Sequence, residues 1–393
     1  MERIGIYGGS FNPLHVGHLR AAQFAQKALG LDKLLLLPSC VSCHKAQPQD
    51  SPTDAQRLHM LHVATQDCDG IEVCDLELRR GGVSYTWETL EALRVQYPNA
   101  EFFLLMGTDM FLHFTQWMHP ERIIAQATLA VLNRDSKQAD AVATQQEALE
   151  AMGAKVLLLD NPVTRISSTD LRRMLAFGCA TPFLPPQVAA YIAENGLYGT
   201  DRDLKHLPME ELEQTVIRLL KPNRVAHVLG CRDTAAELAG IWGVDETDAA
   251  RAGLLHDITK ALDGPLQLTV CTEYGVQLDD FSQANPKTLH ALTGSLVAQR
   301  IFGENPAVVS AIRSHTTGKP NMNTLEKIIY VADYMEPNRD FPGVEELRQL
   351  ACSNLDKALK LGLEMTLSVL KEQGRQISPE SSEALKYLQQ TGI

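Results

Sequence analysis

Short, dense apolar runs alternate with longer stretches of helical spacing through the first half of the chain. Ile4, Ile6 and Tyr7 form one such run, and Leu19, Ala22, Ala25 and Leu29 then recur three and four apart before Gly30. Lys33 to Leu37 is a lysine followed by four leucines and closed by Pro38, which predicts a parallel strand buried on both faces. Ser51-Pro52-Thr53-Asp54 predicts a helix start, with Ser51 as the cap, Pro52 at the first helical position and Asp54 two further on. Further strands are expected at Ile71 to Leu78, Glu101 to Leu105, Thr128 to Leu132 and Lys155 to Leu159, and a helix at Ser84-Tyr85-Thr86. Strands alternating with helices imply an α/β doubly wound parallel sheet.

The pattern changes after Leu197-Tyr198-Gly199-Thr200. From Pro208 onward every apolar run has helical spacing, as in Arg224 to Trp242, Asp245 to His256, Lys287 to Phe302, Asn305 to Ser314 and Asn323 to Met335. Two domains are therefore expected, an α/β domain over residues 1–200 and an all-α domain over 207–393, joined by the polar bridge Asp201 to His206. A chain of 393 residues also exceeds what one core usually serves.

Charge and cysteine usage narrow the function classes. The net charge of −12 is shared, with 16 basic and 21 acidic residues up to Thr200 and 20 and 27 after it, so neither half has the footprint of a nucleic-acid binder. No stretch reaches 18 apolar residues and the N-terminus reads straight into a strand, which implies a cytoplasmic protein without membrane contact. Eight scattered cysteines are then expected as thiols. Cys40-Val-Ser-Cys43-His44 matches the haem-attachment string, but that chemistry needs export, and no second cysteine pair at zinc spacing accompanies it.

The chemistry of the first half gathers at Arg3 to Arg20, RIGIYGGSFNPLHVGHLR. Gly8 and Gly9 let the backbone approach a ligand, with Ser10 and Phe11 following. Main-chain N–H groups there and at the next helix start favour an anion, and His15 and His18 reach the same spot. A second helix start, Arg165-Ile166-Ser167-Ser168-Thr169-Asp170-Leu171-Arg172, lies about 155 residues on. Met106-Gly107-Thr108-Asp109 puts a carboxylate at the carboxyl edge of a strand, where open α/β sheets bind ligands.

GGSFNPLHVGHL and ISSTDLR, with SYTWETL, GTDMFLHFTQW and VAAYIAENGLYG, resemble the bacterial nicotinate-mononucleotide adenylyltransferases over nearly all of residues 1–199. The resemblance implies a Rossmann-like nucleotidylyltransferase fold and transfer of an adenylyl group from ATP, with Mg2+, to nicotinate mononucleotide. It gives His15, His18 and Arg172 catalytic roles on the triphosphate, and places ATP at Gly8, Gly9, Ser10, Phe11, Ile166, Ser167 and Ser168. Lys45, Tyr85, Thr86, Asp109 and Trp117 would meet the acceptor. Trp87 and Met118 depart from the commoner family pattern beside the nicotinate carboxylate, so acid-versus-amide preference stays open.

In the second half His227, His256-Asp257, His290, His315 and Asp333 form an ordered series. Such a His/Asp mixture suits a hard-to-borderline metal such as iron or manganese, bridged by hydroxide that attacks phosphorus. The series resembles the HD superfamily of metal phosphohydrolases; GLLHDITK, AIRSHTTGKP and KIIYVADYMEPNRDFPG are similar to the bacterial symmetrical diadenosine tetraphosphate hydrolases, which release two ADP. That resemblance gives His227, His256, Asp257 and Asp333 to one metal and Asp257, His290 and His315 to the other. It brings Lys260, Thr316, Thr317, Gly318, Lys319 and Arg339 to the phosphates. Small-molecule nucleotides are the partners implied. The alternatives are another phosphate acceptor with an HD nucleotidase or phosphodiesterase, and a nucleotide-sensing protein without turnover.

Overall fold

The computed structural model describes residues 1–42, 51–133 and 138–392. It divides into two compact units, Met1–Arg202 and Asp203–Ile393.

The first unit is built on a six-stranded sheet of β1 (Arg3–Gly9), β2 (Lys33–Pro38), β3 (Ile71–Val73), β4 (Glu101–Gly107), β5 (Ala127–Leu132) and β6 (Val156–Leu159). Its order is β3-β2-β1-β4-β5-β6, and every pairing is parallel. Central β1 sets Tyr7 against Leu36 of β2 on one side and Leu105 of β4 on the other. Winding reverses between β1 and β4, which opens a crevice beyond their carboxyl ends. The four-leucine run is buried throughout, as expected for a strand covered on both faces. Ile4, Ile6, Leu35, Phe102, Leu104 and Leu129 carry the core under one face.

Two local expectations are corrected. The helix after the undescribed segment runs Asp54–Thr65 and is capped by Thr53, not Ser51. Thr53 Oγ1 accepts from Gln56 N at 3.3 Å while Gln56 Oε1 accepts from Thr53 N at 2.9 Å, a reciprocal box that Ser51 with Asp54 does not make. The strand expected over Ile71 to Leu78 stops at Val73, and a short helix, Leu76–Arg80, follows. Cys74 N makes a last bond to Leu36 O at 2.9 Å; beyond it Leu76-Glu77-Leu78-Arg79-Arg80 are all good helix formers. Two-residue strands Val41–Ser42 and Val83–Ser84 pair separately.

Within the second unit, secondary structure among the described residues is helical. Val225–Trp242, Glu246–Leu255, His290–Arg300, Pro306–Ser314 and Thr324–Met335 pack around Val228, Leu254, Val297, Ile312 and Ile328. The first two cross closely at Gly253, where an added Cβ would stand 2.8 Å from Arg232 Cα. That approach carries His256, at the end of the second helix, up to His227 on the first. No described helix is long and apolar enough to cross a membrane.

Candidate functional sites

Beyond the carboxyl ends of β1 and β4 lies a cavity of about 500 Å3, lined by Gly8, Gly9, Ser10 and Phe11 on one wall and by Ile166, Ser167 and Ser168 on another. His15 is the buried N-cap of helix Val16–Leu29, and its ring stacks on His18 with centroids 3.7 Å apart. His15 N donates to His18 Nδ1 at 3.3 Å, so a neutral His18 carries its proton on Nε2. Gly17 permits this stack: a Cβ there would lie 2.9 Å from His15 Nδ1. Phe11, in the left-handed region at φ 42°, supports His18 edge-on with ring centroids at 5.2 Å.

The two distant motifs are joined directly. Ser167 Oγ caps helix Ser168–Ala176 by accepting from Asp170 N at 3.1 Å. Ser168 Oγ donates to Pro13 O at 3.2 Å, and Arg172 Nη1 to Asn12 O at 2.6 Å. Tyr198 Oη donates to Asn12 Oδ1 at 2.8 Å. Burial pulls the Arg172 pKa below its ordinary value and pushes the Tyr198 phenol up. The loop therefore presents its histidines and amides in one orientation.

On the remaining wall, Asp109 is exposed on helix Thr108–Leu112, and Trp117 packs on Phe114 with centroids 5.2 Å apart; both line the cavity. Thr86 lines it as well. Tyr85 does not: it caps helix Thr86–Gln96, and its neighbours Ser84 and Thr86 make the wall there. Lys45 lies outside the described residues, as do Cys43 and His44. Glu77 was missed because its stretch reads as a strand; it is a buried wall residue accepting from Thr89 Oγ1 at 2.8 Å.

In the second unit five of the sequence-predicted ligands converge on the sixth, Asp257. His227 Nε2 lies 3.2 Å from His256 Nε2, 3.1 Å from Asp333 Oδ1 and 3.8 Å from Asp257 Oδ2. On the other side, His290 Nε2 lies 3.2 Å from His315 Nε2, and the two rings are 3.5 and 3.7 Å from Asp257 Oδ1. Each oxygen of Asp257 thus faces its own set.

The other ring nitrogens fix the tautomers. His256 Nδ1 donates to Gly253 O at 2.7 Å, His315 Nδ1 to Ile312 O at 2.7 Å and His290 Nδ1 to Lys287 O at 3.1 Å. His227 Nδ1 donates to Glu336 Oε1 at 3.1 Å. All four Nε2 atoms are left as lone pairs aimed inward. Burial drives His256 and His290 well below the ordinary imidazole range and His315 to about 4, so these three rings are neutral. Burial works to raise the Asp333 pKa, but the groups around it, the Arg339 guanidinium among them, more than offset this and hold the carboxyl well below the usual range. Buried Asp257 Oδ1 has no hydrogen-bond donor. Converging lone pairs and an undonated carboxylate oxygen are a donor set for cations.

Cations border this centre. Arg224, missed because nothing in its sequence spacing separates it from a helix-start arginine, contacts Asp257 Oδ2. Lys260 Nζ lies 2.8 Å from His290 Nε2, and burial lowers its pKa to about 8. Arg339 Nη2 donates to Asp333 Oδ1 at 2.8 Å. Thr316 Oγ1 stands 3.0 Å from His290 Nε2. The rest of that loop turns elsewhere: Thr317 Oγ1 donates to Glu380 Oε2 at 2.7 Å, while Lys319 Nζ pairs with buried Glu326 at 2.6 Å.

Residues 6–174 match the cytidylyltransferase-like family and residues 224–338 match the HD domain family. A probable nicotinate-nucleotide adenylyltransferase of Shewanella putrefaciens is 39% identical over 214 residues, spanning 50% of this chain and 99% of that protein. One from Listeria monocytogenes is 34% identical over 198 residues, spanning 50% and 98%. The chain belongs to the nicotinate-nucleotide adenylyltransferase family, with an HD domain following in the same polypeptide. A crystal structure of a predicted HD superfamily hydrolase involved in NAD metabolism, from Clostridium acetobutylicum, is 39% identical. It covers 47% of this chain and 98% of its own, with a TM-score of 0.46.

Within the adenylyltransferase-family unit, Arg57 is the other residue whose place was not legible. It reads as one more position on a helix, yet its side chain is wholly buried and donates from Nη1 to Ser10 O at 2.7 Å. In the HD domain the comparable residue is Glu336, which orients His227 and accepts from Asn338 N at 2.7 Å.

Proposed function

We propose that the first unit transfers the adenylyl group of ATP to nicotinate mononucleotide, releasing nicotinate adenine dinucleotide and pyrophosphate. The observation that carries this is the shared cavity wall of His18, Ser167 and Arg172, from motifs far apart in sequence. The acceptor phosphate attacks the α-phosphorus in line, the α–β bridging bond breaks, and pyrophosphate departs. His18 donates Nε2–H to the α-phosphate oxygen as charge builds, with His15 beside it. The capped helix start at Ser167 and Ser168, with Arg172, holds the β- and γ-phosphates, which reach the site with Mg2+. Asp109 takes ribose hydroxyls, Trp117 stacks on the pyridine ring, and Lys45 and Thr86 complete the acceptor side. Positioning two polyanions is the main task, since no protein nucleophile is required.

For the HD domain we infer hydrolysis of diadenosine tetraphosphate to two ADP. His227, His256, Asp257 and Asp333 would hold one cation, and Asp257, His290 and His315 a second, with iron or manganese best suited to the donors. Bound there, such a pair supplies Lewis-acid polarisation of a phosphoryl oxygen and a more acidic water. Lys260, Arg224, Arg339 and Thr316 border the same space and suit a polyphosphate. Both activities belong to the cytoplasm.

Purified protein given ATP and nicotinate mononucleotide should release pyrophosphate; none released ends the first reading. Given diadenosine tetraphosphate it should yield ADP alone, and AMP with ATP would overturn symmetrical cleavage.

A further inference from the structure

A fully buried guanidinium joins two backbone loops that both line the adenylyltransferase-family cavity. Arg57 Nη1 donates to Ser10 O, and Nη2 donates to Ser39 O at 2.7 Å and to Asp54 Oδ1 at 2.5 Å. Its Nε is buried with no partner. Ser10 belongs to the loop after β1 on the triphosphate side, and Ser39 is the first residue after β2. Ser39 N also donates to Gly9 O at 3.0 Å, so the two strand exits are stitched twice.

The connection continues from Ser39 to the acceptor wall. Cys40 N donates to the buried Ser84 Oγ at 3.2 Å, and Val41–Ser42 pairs with Val83–Ser84. Ser84 directly precedes Tyr85, the cap of the helix that begins at Thr86. Ser10, Ser39, Ser84 and Thr86 all line the one cavity. The other partner of Arg57, Asp54, accepts from Cys40 Sγ at 3.5 Å and closes the circuit back to the same segment.

Placing a guanidinium where nothing solvates it is costly unless each contact is fixed, and a lone pair of carbonyls could have been joined by a neutral donor. Arg is suited to this place because its planar fork reaches two carbonyls and a carboxylate at once, in one rigid geometry. We infer that Arg57 is a positioning residue that couples the triphosphate and acceptor subsites, so that ordering of the Ser10 loop by one ligand is transmitted through Ser39 and Ser84 to the other. This rests on the adenylyl-transfer reading above and adds to it an energetic link between the two substrates.

The test is a binding cycle by calorimetry with α,β-methylene-ATP, which cannot transfer its adenylyl group, and nicotinate mononucleotide. The unaltered chain should bind the mononucleotide about ten-fold more tightly when the analogue is present. Arg57→Gln should bring that factor close to one, and Arg57→Lys, which cannot span both carbonyls, should leave only part of it. Ser84→Ala cuts the far end of the connection without disturbing the buried charge and should also lower the factor; it decides the matter if Arg57→Gln fails to fold. A factor unchanged in both variants, or both ligands weakened with the factor intact, overturns the inference and makes Arg57 merely structural. Absence of coupling in the unaltered chain, with both ligands bound, overturns it while sparing the function. No binding of the mononucleotide at all sinks the function itself, and the inference with it.

Discussion

His227 and His256 hold their Nε2 atoms 3.2 Å apart while each commits its Nδ1 elsewhere, to Glu336 and to the Gly253 carbonyl. Two lone pairs at that distance repel unless a positive centre lies between them. His290 and His315 repeat the relationship on the opposite oxygen of Asp257. The chain is therefore expected to carry two divalent cations when purified without chelator. Asp257→Asn, which keeps the shape and removes the shared charge, should cut metal content to one equivalent or fewer by elemental analysis; two retained equivalents would refute the shared-carboxylate scheme.

The two activities should separate cleanly. His18→Ala removes the Nε2–H donor and should lower pyrophosphate release by roughly 100- to 1,000-fold, leaving hydrolysis unchanged. Asp257→Ala should do the reverse. Either change silencing both reactions in a folded protein would defeat the assignment of one reaction to each unit.

Gly17 tests the geometry rather than the chemistry. Its added Cβ would meet His15 Nδ1 at 2.9 Å and Cε1 at 3.0 Å, so Gly17→Ala must displace the ring on which His18 stacks. Transfer should drop by about 100-fold with an unchanged unfolding temperature. A variant of full activity would show that the stacked arrangement is dispensable.

Lys260 and Lys319 should behave differently despite their similar place in the sequence motifs. Lys260 stands at the metal ligands, whereas Lys319 pairs with Glu326, which is 2% exposed. Lys260→Ala should impair hydrolysis with little loss of stability. Lys319→Ala leaves a buried carboxylate without its counter-ion, with only Ser310 and Asn323 donating to it, and should cost up to about 3 kcal/mol in urea unfolding, while a raised KM with unchanged stability would return Lys319 to phosphate binding.

Burial pushes the Cys271 thiol up to about 11 from an ordinary 9.0. The unfolded chain releases this proton at lower pH than the native one, so the stability involved is fully present below about pH 9 and is lost as pH rises towards 11. Cys271→Ala should flatten that decline in unfolding experiments across this range. Thiol labelling at neutral pH should reach exposed Cys352 in the folded chain and Cys271 only on unfolding.

Periodicity alone determined the division into a β/α-alternating half and a helical half, because a run such as Lys33 to Pro38 has too little polar surface to lie anywhere but inside a sheet. Residue type and order likewise marked His15, His18, Arg172, and Asp257 with the five residues around it, since such polar groups in apolar surroundings have few uses apart from binding. Local propensity misjudged Ile71 to Leu78 and the Ser51 cap, where hydrogen bonds to Leu36 and from Gln56 decided the outcome. Arg57, Glu77, Arg224 and Glu336 had no local signal at all. A buried charge is stabilised by groups brought to it from other parts of the chain, as Ser10 and Ser39 are brought to Arg57, and Thr317 and Lys319 show the converse, turned from the expected site by Glu380 and Glu326. Spacing can say which residue types are present, but their roles follow from distances that exist only once strands and helices have packed.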